Sequence, residues 1–290
     1  MQNQSSSKYS VRYSPYSDFN NQDRLPYHLE HCLLPYLIEE LHYHDGIELG
    51  YCSSGCGVFI IGKEIISFQA PCVTIIYPKQ FHKAKSTGSS YSDWQFASFS
   101  PQMPLSHLNF IGPVLQAPDC SQSIYYQNNI LFTLIKELII ELQNKEMDYL
   151  KSATGLLKSI LVKHSRVTSN HSNNPNSASI LTRIGPILNY ISHNYKQSLS
   201  VNEIASSFHI SPATLRRWFS DSIHSSPLQY LHKVRTTTAS SLLINTDLSV
   251  LEVAIEVGYQ SQSSFQRQFQ RQFHCSPTQY ITQNRNQKAK

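Results

Sequence analysis

Charged residues make up only 15% of this chain, and glycine is scarcer still, with 10 among 290 residues. So few glycines leave no glycine-rich loop to cradle a phosphate, and neither a G-x-S-x-G elbow nor an H-E-x-x-H helix occurs. We therefore expect no enzyme and no catalytic residues. No apolar run approaches the roughly 20 residues needed to cross a bilayer. Met1 to Ser10 is polar and lacks the apolar stretch of a secretory leader. The expectation is a cytoplasmic protein with no membrane partner. The six cysteines (Cys32, Cys52, Cys56, Cys72, Cys120 and Cys275) are scattered, without the paired short spacings of a zinc knuckle or an extracellular disulfide framework. Cys52 and Cys56, four apart in a strand-like stretch, read as reduced thiols.

What is present is an ordinary globular composition, 40% apolar, in a length that suits two domains. The net charge of +5 is unevenly placed: residues 181–290 hold 11 Lys+Arg against 5 Asp+Glu, and residues 1–180 hold 13 against 14. All the excess positive charge lies in the last third, which points to a polyanion partner there.

The pattern divides the chain further. Residues 1–24 are rich in Ser, Asn and Tyr and read as a flexible N-terminus. Over 25–120, short β-branched runs such as Ile47–Tyr51, Gly57–Ile61 and Val73–Tyr77, punctuated by Gly, Pro and Ser, predict a small antiparallel barrel or sandwich. Over 121–165 the period changes: Ile130, Leu131, Leu134, Ile135, Leu138, Ile139 and Leu142 recur at threes and fours. This helical element is assigned to dimerisation, with burial against its own barrel an equal alternative. Residues 166–180, almost without apolar content, form the expected linker, and 181–285 the basic domain.

That basic domain contains a repeat. Leu199–Ala205 returns as Leu248–Ala254, offset 49; Ser211, Leu215, Arg217 and Phe219 return as Ser261, Phe265, Arg267 and Phe269, offset 50; Ser226–Tyr230 returns as Ser276–Tyr280. In each copy an S-x-x-E capping box (Ser200 with Glu203, Ser249 with Glu252) starts a short helix. A turn follows, holding Gly258 in the second copy. Ser211 or Ser261 then caps a second helix that Leu215 and Phe219, or Phe265 and Phe269, anchor to a core. The other face of that second helix offers Thr214, Arg216, Arg217 and Ser220, or Gln262, Ser263, Gln266, Arg267 and Gln270. Arg can fork onto guanine and Gln onto adenine. The two units span 199–221 and 248–271, and an amphipathic run from Leu228 to Leu243 joins them.

Residues 184–281 resemble the DNA-binding domain of the AraC/XylS family. The resemblance rests on Ala254-x3-Gly258-Tyr259-x-Ser261-x3-Phe265-x-Arg267-x-Phe269, followed by Ser276-Pro277-x-x-Tyr280. It implies two helix-turn-helix units joined by a long helix, sequence-specific binding to double-stranded promoter DNA, and usually activation of transcription through RNA polymerase. The fold class it implies is α+β, a cupin-like β-barrel ahead of an all-α domain, in a homodimer that responds to a small-molecule effector. One departure is that His224 and His274 stand where the family has a helix-ending glycine; both helices are still expected to stop there.

In the N-terminal half, His42, His44, Glu48 and Gly55 give H-x-H-x3-E-x6-G, and Pro78 and His82 follow as P-x3-H. The spacing resembles the two cupin motifs, with Ala70-Pro71-Cys72 and Ser86 as departures. Read as one strand, positions 42, 44 and 48 share a face. His42, His44, Glu48, Tyr51 and His82 are the candidate effector-pocket residues, with Phe59, Tyr77, Trp94, Phe96 and Phe99 read mainly as core. No cofactor is called for beyond an unidentified effector. A divalent transition metal stays open at His42, His44, Glu48 and His82. The competing assignment is a metal-dependent cupin enzyme fused to a DNA-binding domain, and a third is a regulator that needs no effector.

Overall fold

The computed structural model describes residues 12–13, 25, 27–34, 41–62, 64–87, 91–100, 123–168 and 177–288. The expected flexible N-terminus and Cys120 lie outside them, apart from a two-residue strand β1 (Arg12–Tyr13).

The N-terminal part is built of strands. These are β1, β2 (Tyr27–Leu34), β3 (His42–Tyr43), β4 (Ile47–Ser54), β5 (Cys56–Ile61), β6 (Glu64–Gln69), β7 (Cys72–Ile76), β8 (His82–Ser86), β9 (Ser92–Phe99) and β10 (Ile124–Tyr126). They form two five-stranded sheets, ordered β1-β3-β8-β5-β6 and β10-β7-β4-β9-β2. Apart from the parallel β1–β3 pair, the ladders are antiparallel. Among the described residues the ladders do not close into one barrel. The sheets approach at a corner, where Ser86 Oγ donates to Leu34 O (2.9 Å).

Side chains alternate along the strands, and β5 and β7 are buried on both faces, which is why β5 reads as an apolar run and β7 as one broken only by Thr74. Phe59 and Ile61 of β5 point between the sheets with Phe68, Cys72, Ile76 and Trp94. Val58 and Ile60 point the other way, into a core shared with the C-terminal helices. In the second sheet Ile47, Leu49, Val73 and Ile75 face outward onto α1 (Ile130–Asn144) and α2 (Tyr149–Thr168).

The helical hairpin of α1 and α2 packs on the second sheet. Asn129 caps α1 by accepting from Leu131 N (2.9 Å), and Leu131, Ile135, Leu138, Ile139 and Leu142 are buried against the chain's own sheet. Burying each such side chain contributes about 1.5–3 kcal/mol. The apolar face assigned to dimerisation is therefore consumed within the chain. No helix among the described residues is long and apolar enough to cross a membrane.

The C-terminal part is helical: α3 (Ser177–Asn194), α4 (Val201–Ser207), α5 (Pro212–Ile223), α6 (Pro227–Asn245), α7 (Val250–Glu256), α8 (Gln262–Phe273) and α9 (Pro277–Lys288). The expected linker is narrower than its composition suggested. α2 continues to Thr168 and α3 begins at Ser177, so only 169–176, outside the described residues, lie between them. The joining helix α6 also departs from expectation. It is not amphipathic: every residue from Val234 to Leu243 is buried. Three of its hydroxyls turn onto the helix's own carbonyls, Thr236 to His232 O (2.7 Å), Thr238 to Val234 O (2.8 Å) and Ser240 to Thr237 O (2.9 Å), while Thr237 and Ser241 bond to Gln272 and Thr87. Satisfied in this way, small polar residues can be packed on all sides.

Candidate nucleic-acid interface and effector site

Each repeat forms the predicted helix pair. The capping boxes close with nearly the same geometry: Glu203 N donates to Ser200 Oγ (3.2 Å) and Ser200 N to Glu203 Oε2 (2.7 Å), and Ser249 with Glu252 gives 3.2 and 2.7 Å. The second helices start on Ser211, which accepts from Thr214 N (3.0 Å), and Ser261, which accepts from Ser264 N (3.3 Å). Two further capping boxes were not read from the sequence, although the S-P-x-Q string carries them. Ser226 with Gln229 starts α6, and Ser276 with Gln279 starts α9. Both α5 and α8 end on a histidine in the left-handed region, His224 (φ 50°, ψ 39°) and His274 (φ 57°, ψ 15°). Gly258 turns with φ 91°, and an added Cβ there would lie 2.5 Å from Lys196 O. Only glycine fits that approach.

The exposure pattern of 211–220 repeats residue for residue over 261–270. Leu215 and Phe219, and Phe265 and Phe269, are buried; Arg216, Arg217 and Ser220, and Ser263, Gln266, Arg267 and Gln270, are exposed. Thr214 and Gln262 are half-buried, and the Thr214 hydroxyl lies 2.9 Å from the Ser211 cap. The residue choice missed Arg271, exposed one turn beyond Arg267. Its i+4 spacing could have found it. In the first copy the same position is Asp221, also exposed.

Not all the positive charge is available to a polyanion. Arg235 is buried: its Nε donates to Tyr195 O and its Nη2 to Gln197 O, both at 2.7 Å, and its guanidinium lies 5.2 Å from the centre of the Tyr259 ring. Lys196 pairs with Glu256, and Lys233 with Glu64 of β6 at 2.8 Å. Among the described residues, Arg216 and Arg217 of α5 and Arg267 and Arg271 of α8 are exposed.

In the sheet domain His44, Glu48 and His82 come together, all buried, with ligating atoms within 4.8 Å of one another. His44 Nε2 lies 3.3 Å from Glu48 Oε2, and His82 Nε2 lies 3.5 Å from Glu48 Oε1. The Nδ1 atoms of His44 and His82 lie 2.9 Å from Gly46 O and 2.8 Å from Gln80 O. A carbonyl only accepts, so each Nδ1 carries a proton and donates, and each Nε2 is turned toward the carboxylate. Burial alone would raise the Glu48 carboxyl, but the His82 and His44 imidazoles outweigh it and hold that group well below the usual carboxylate range. Two imidazole nitrogens and a carboxylate at this spacing fit a divalent transition metal.

The cluster forms for a different reason than strand parity. His42 belongs to β3, His44 to the bend before β4, and Glu48 to β4, so the chain turns to bring them together. The His42 ring lies 4.2 Å from that of His82, centre to centre. Tyr51 does not join them. It has the parity of Leu49 and packs edge-on against Phe132 of α1, 6.1 Å away. The space between the sheets is filled by rings, with Trp94 edge-to-face with Phe59 at 5.5 Å and Phe68 at 5.0 Å.

Comparison with known proteins places these features. Residues 204–283 match a family described as a helix-turn-helix domain. Similar curated proteins include the uncharacterized HTH-type transcriptional regulator YdiP of Escherichia coli K12, 25% identical over 84% of this chain and 82% of that protein. Another is the HTH-type transcriptional activator RhaR of Mannheimia succiniciproducens, 24% identical over 83% of this chain and 86% of that protein. Among solved structures, the DNA-binding domain of AdpA in complex with a target DNA is 28% identical, covering 37% of this chain and 96% of that one, with a TM-score of 0.36.

Proposed function

We propose that this chain is a sequence-specific DNA-binding transcriptional regulator of the AraC type, in which α5 and α8 enter adjacent major grooves of promoter DNA while the sheet domain makes their action depend on a small molecule. The observation that carries the reading is the repeated exposure pattern: two helices, each anchored by two buried apolar residues, turn Arg, Gln and Ser outward at matching positions. Such side chains suit base edges and phosphates. Joined through α6, the two helices would read grooves about one turn, roughly 34 Å, apart.

Within this reading Arg217 and Arg267 make base or adjacent phosphate contacts, with Arg216, Ser220, Ser263, Gln266 and Gln270 beside them and Thr214 and Gln262 at the helix starts. The cupin-like sensor of this reading spans 25–120, and the DNA-binding domain begins with α3 at Ser177. Relatives whose names call them transcriptional activators support activation, for which RNA polymerase would be the partner. The protein acts in the cytoplasm as a homodimer, through surfaces other than the buried face of α1. Genome-wide mapping of bound sites, repeated with Arg217→Ala plus Arg267→Ala, tests the assignment. Loss of the peaks supports it, and an unchanged map refutes it.

A second reading, metal-dependent chemistry in the sheet domain, is favoured by the buried cluster alone. His44 and His82 through Nε2, with Glu48, would hold the ion, which would supply Lewis acidity. These residues would in any case tie β4, its preceding bend and β8 together.

A further inference from the structure

The two repeated helices α5 and α8 are held in place by different means. Apolar packing anchors both, through Leu215 and Phe219 in the first copy and Phe265 and Phe269 in the second. α8 has a polar anchor besides. Gln272 stands three residues beyond Phe269 and seven beyond Phe265, on the same side of the helix. Its Nε2 donates to Thr237 Oγ1 (2.9 Å), and its Oε1 accepts from the Thr236 hydroxyl. In α5 the matching position, offset 50, is Ser222. Its Oγ is buried and has no hydrogen-bond partner among the described residues, where no side chain of α5 hydrogen-bonds to another helix.

From this asymmetry we infer that Gln272 is a positioning residue: it fixes the roll of α8 on α6, and so fixes where Gln266, Arg267 and Gln270 meet base edges, without touching DNA itself. This rests on the DNA-binding reading of the two units and names a residue behind the exposed face that governs its selectivity.

Apolar contacts alone leave the roll loose. Burial of Phe265 and Phe269 drives α8 onto its neighbours but has no preferred direction, so it tolerates small rotations about the helix axis. Hydrogen bonds weaken steeply with misalignment, and an amide bonded at both ends resists rolling as well as sliding. Thr236 and Thr237 are 0% and 2% exposed, so water competes little for these bonds. The Thr236 hydroxyl is itself held at its own helix, 2.7 Å from His232 O. The clasp thus ends on fixed groups of the element that joins the two units.

The geometry sets the size of the effect. With its side chains a helix is about 10–12 Å across, so a roll of about 10° carries an outward side chain roughly 1 Å. That is more than the ~0.5 Å within which a recognition group must be held. A good bidentate contact to a base discriminates by roughly 5- to 150-fold, and such a shift spoils it. A long arginine can still reach a phosphate after the same shift, so overall affinity falls less than selectivity.

The test uses the full chain, selection from a random duplex pool, and competition titrations in which each base pair of the selected site is changed in turn. The wild type should select two blocks about one helical turn apart. Gln272→Leu keeps the bulk and removes both bonds. It should lower discrimination at one block at least about threefold and leave the other within about twofold. Gln266→Ala combined with Arg267→Ala should relax that same block. Thr237→Val, on the other side of the clasp, should reproduce the effect of Gln272→Leu, and combining the two should add little. Gln272→Glu, whose carboxylate accepts from the same hydroxyls, should recover most of the discrimination. A merely structural role would instead weaken both blocks and all sequences alike. That result, or discrimination that survives both Gln272→Leu and Thr237→Val, or relaxation of the block that Gln266 and Arg267 do not read, overturns the inference alone. Should Gln272→Leu fail to fold, Thr237→Val decides. Wild-type protein that enriches no sequence sinks the DNA-binding reading, and this inference with it.

Discussion

Salt dependence offers the sharpest test of which cations meet DNA. The basic segment carries 11 Lys+Arg by sequence, but the structure withdraws several. Arg235 is spent on two backbone carbonyls, and Lys196 and Lys233 on glutamates. Among the described residues, four arginines, Arg216, Arg217, Arg267 and Arg271, are exposed on α5 and α8. At about −0.9 per phosphate neutralised, they give a slope of log affinity against log salt near −3.6 per chain. Doubling the salt should then weaken binding roughly tenfold. A phosphate-binding arginine changed to Ala should flatten the slope by about 0.9 and weaken all sequences alike, whereas a base-reading one should cost about 1–3 kcal/mol and relax selectivity at one base pair. Because these side chains are exposed, their removal should change stability by no more than about 0.5 kcal/mol. Arg235→Ala should do the reverse, lowering stability by about 1–3 kcal/mol through loss of the guanidinium's bonds to the Tyr195 and Gln197 carbonyls. Fluorescence anisotropy on an operator fragment at stepped salt, with chemical denaturation of each variant, reads both quantities. A slope unchanged in Arg217→Ala and Arg267→Ala together would refute the surface assignment.

Other consequences can be measured separately. His224→Gly and His274→Gly should each stabilise the helical domain by about 0.5–1 kcal/mol, since glycine relieves the left-handed strain at some cost in chain entropy; urea titration checks it, and a loss of stability would contradict the role of these helix ends. Burial, with Lys196 nearby, lowers the Lys85 ammonium to about 8 from an ordinary 10.5. The unfolded chain therefore binds more protons between those values, stability should rise as pH climbs from about 8 to 10.5, and Lys85→Met should flatten the rise in a denaturation series. The sheet domain should take up about one equivalent of Zn²⁺, and His82→Ala should abolish it, as elemental analysis after dialysis would show; equal uptake by the variant would rule out the cluster as the site.

What was legible in the sequence was local. Capping boxes, buried pairs four apart and a turn glycine act within a few residues, and doubling them in register exposed the second domain. What was not legible depended on distant partners. Tyr51 shares a strand with Glu48, and only the stacking of the two sheets decides which parity faces the interior and which faces α1. His42, His44 and Glu48 suggested one strand face, yet a bend brings them together. The helix around Arg235 looked amphipathic because Thr and Ser count as polar. Buried hydroxyls bonded to their own backbone carry no such signal, and nothing local announced that a sheet would cover them.

That covering suggests how the two halves influence each other. An apolar centre, Val58, Ile60 and Ile65 of the sheet with the Ile184 to Ile191 face of α3, joins one core cluster. Polar links lie nearby: Thr87 with Ser241 (2.6 Å), Lys83 Nζ to Asn189 (3.3 Å), Lys85 Nζ to the Tyr195 hydroxyl (3.2 Å), and Lys233 with Glu64 (2.8 Å). Water can replace each polar link at little net cost, while the apolar centre resists separation. Such a mixed seam resembles an interface that can open rather than a fused core. The helix it covers is also the spacer between the two recognition helices, bonded to α8 through Gln272, whose Nε2 donates to Thr237 Oγ1 (2.9 Å). Undocking would therefore free one side of the element that sets groove spacing without breaking either helix-turn-helix unit. A molecule that changes the docking equilibrium by even about 1.4 kcal/mol would shift the ratio of the two arrangements tenfold.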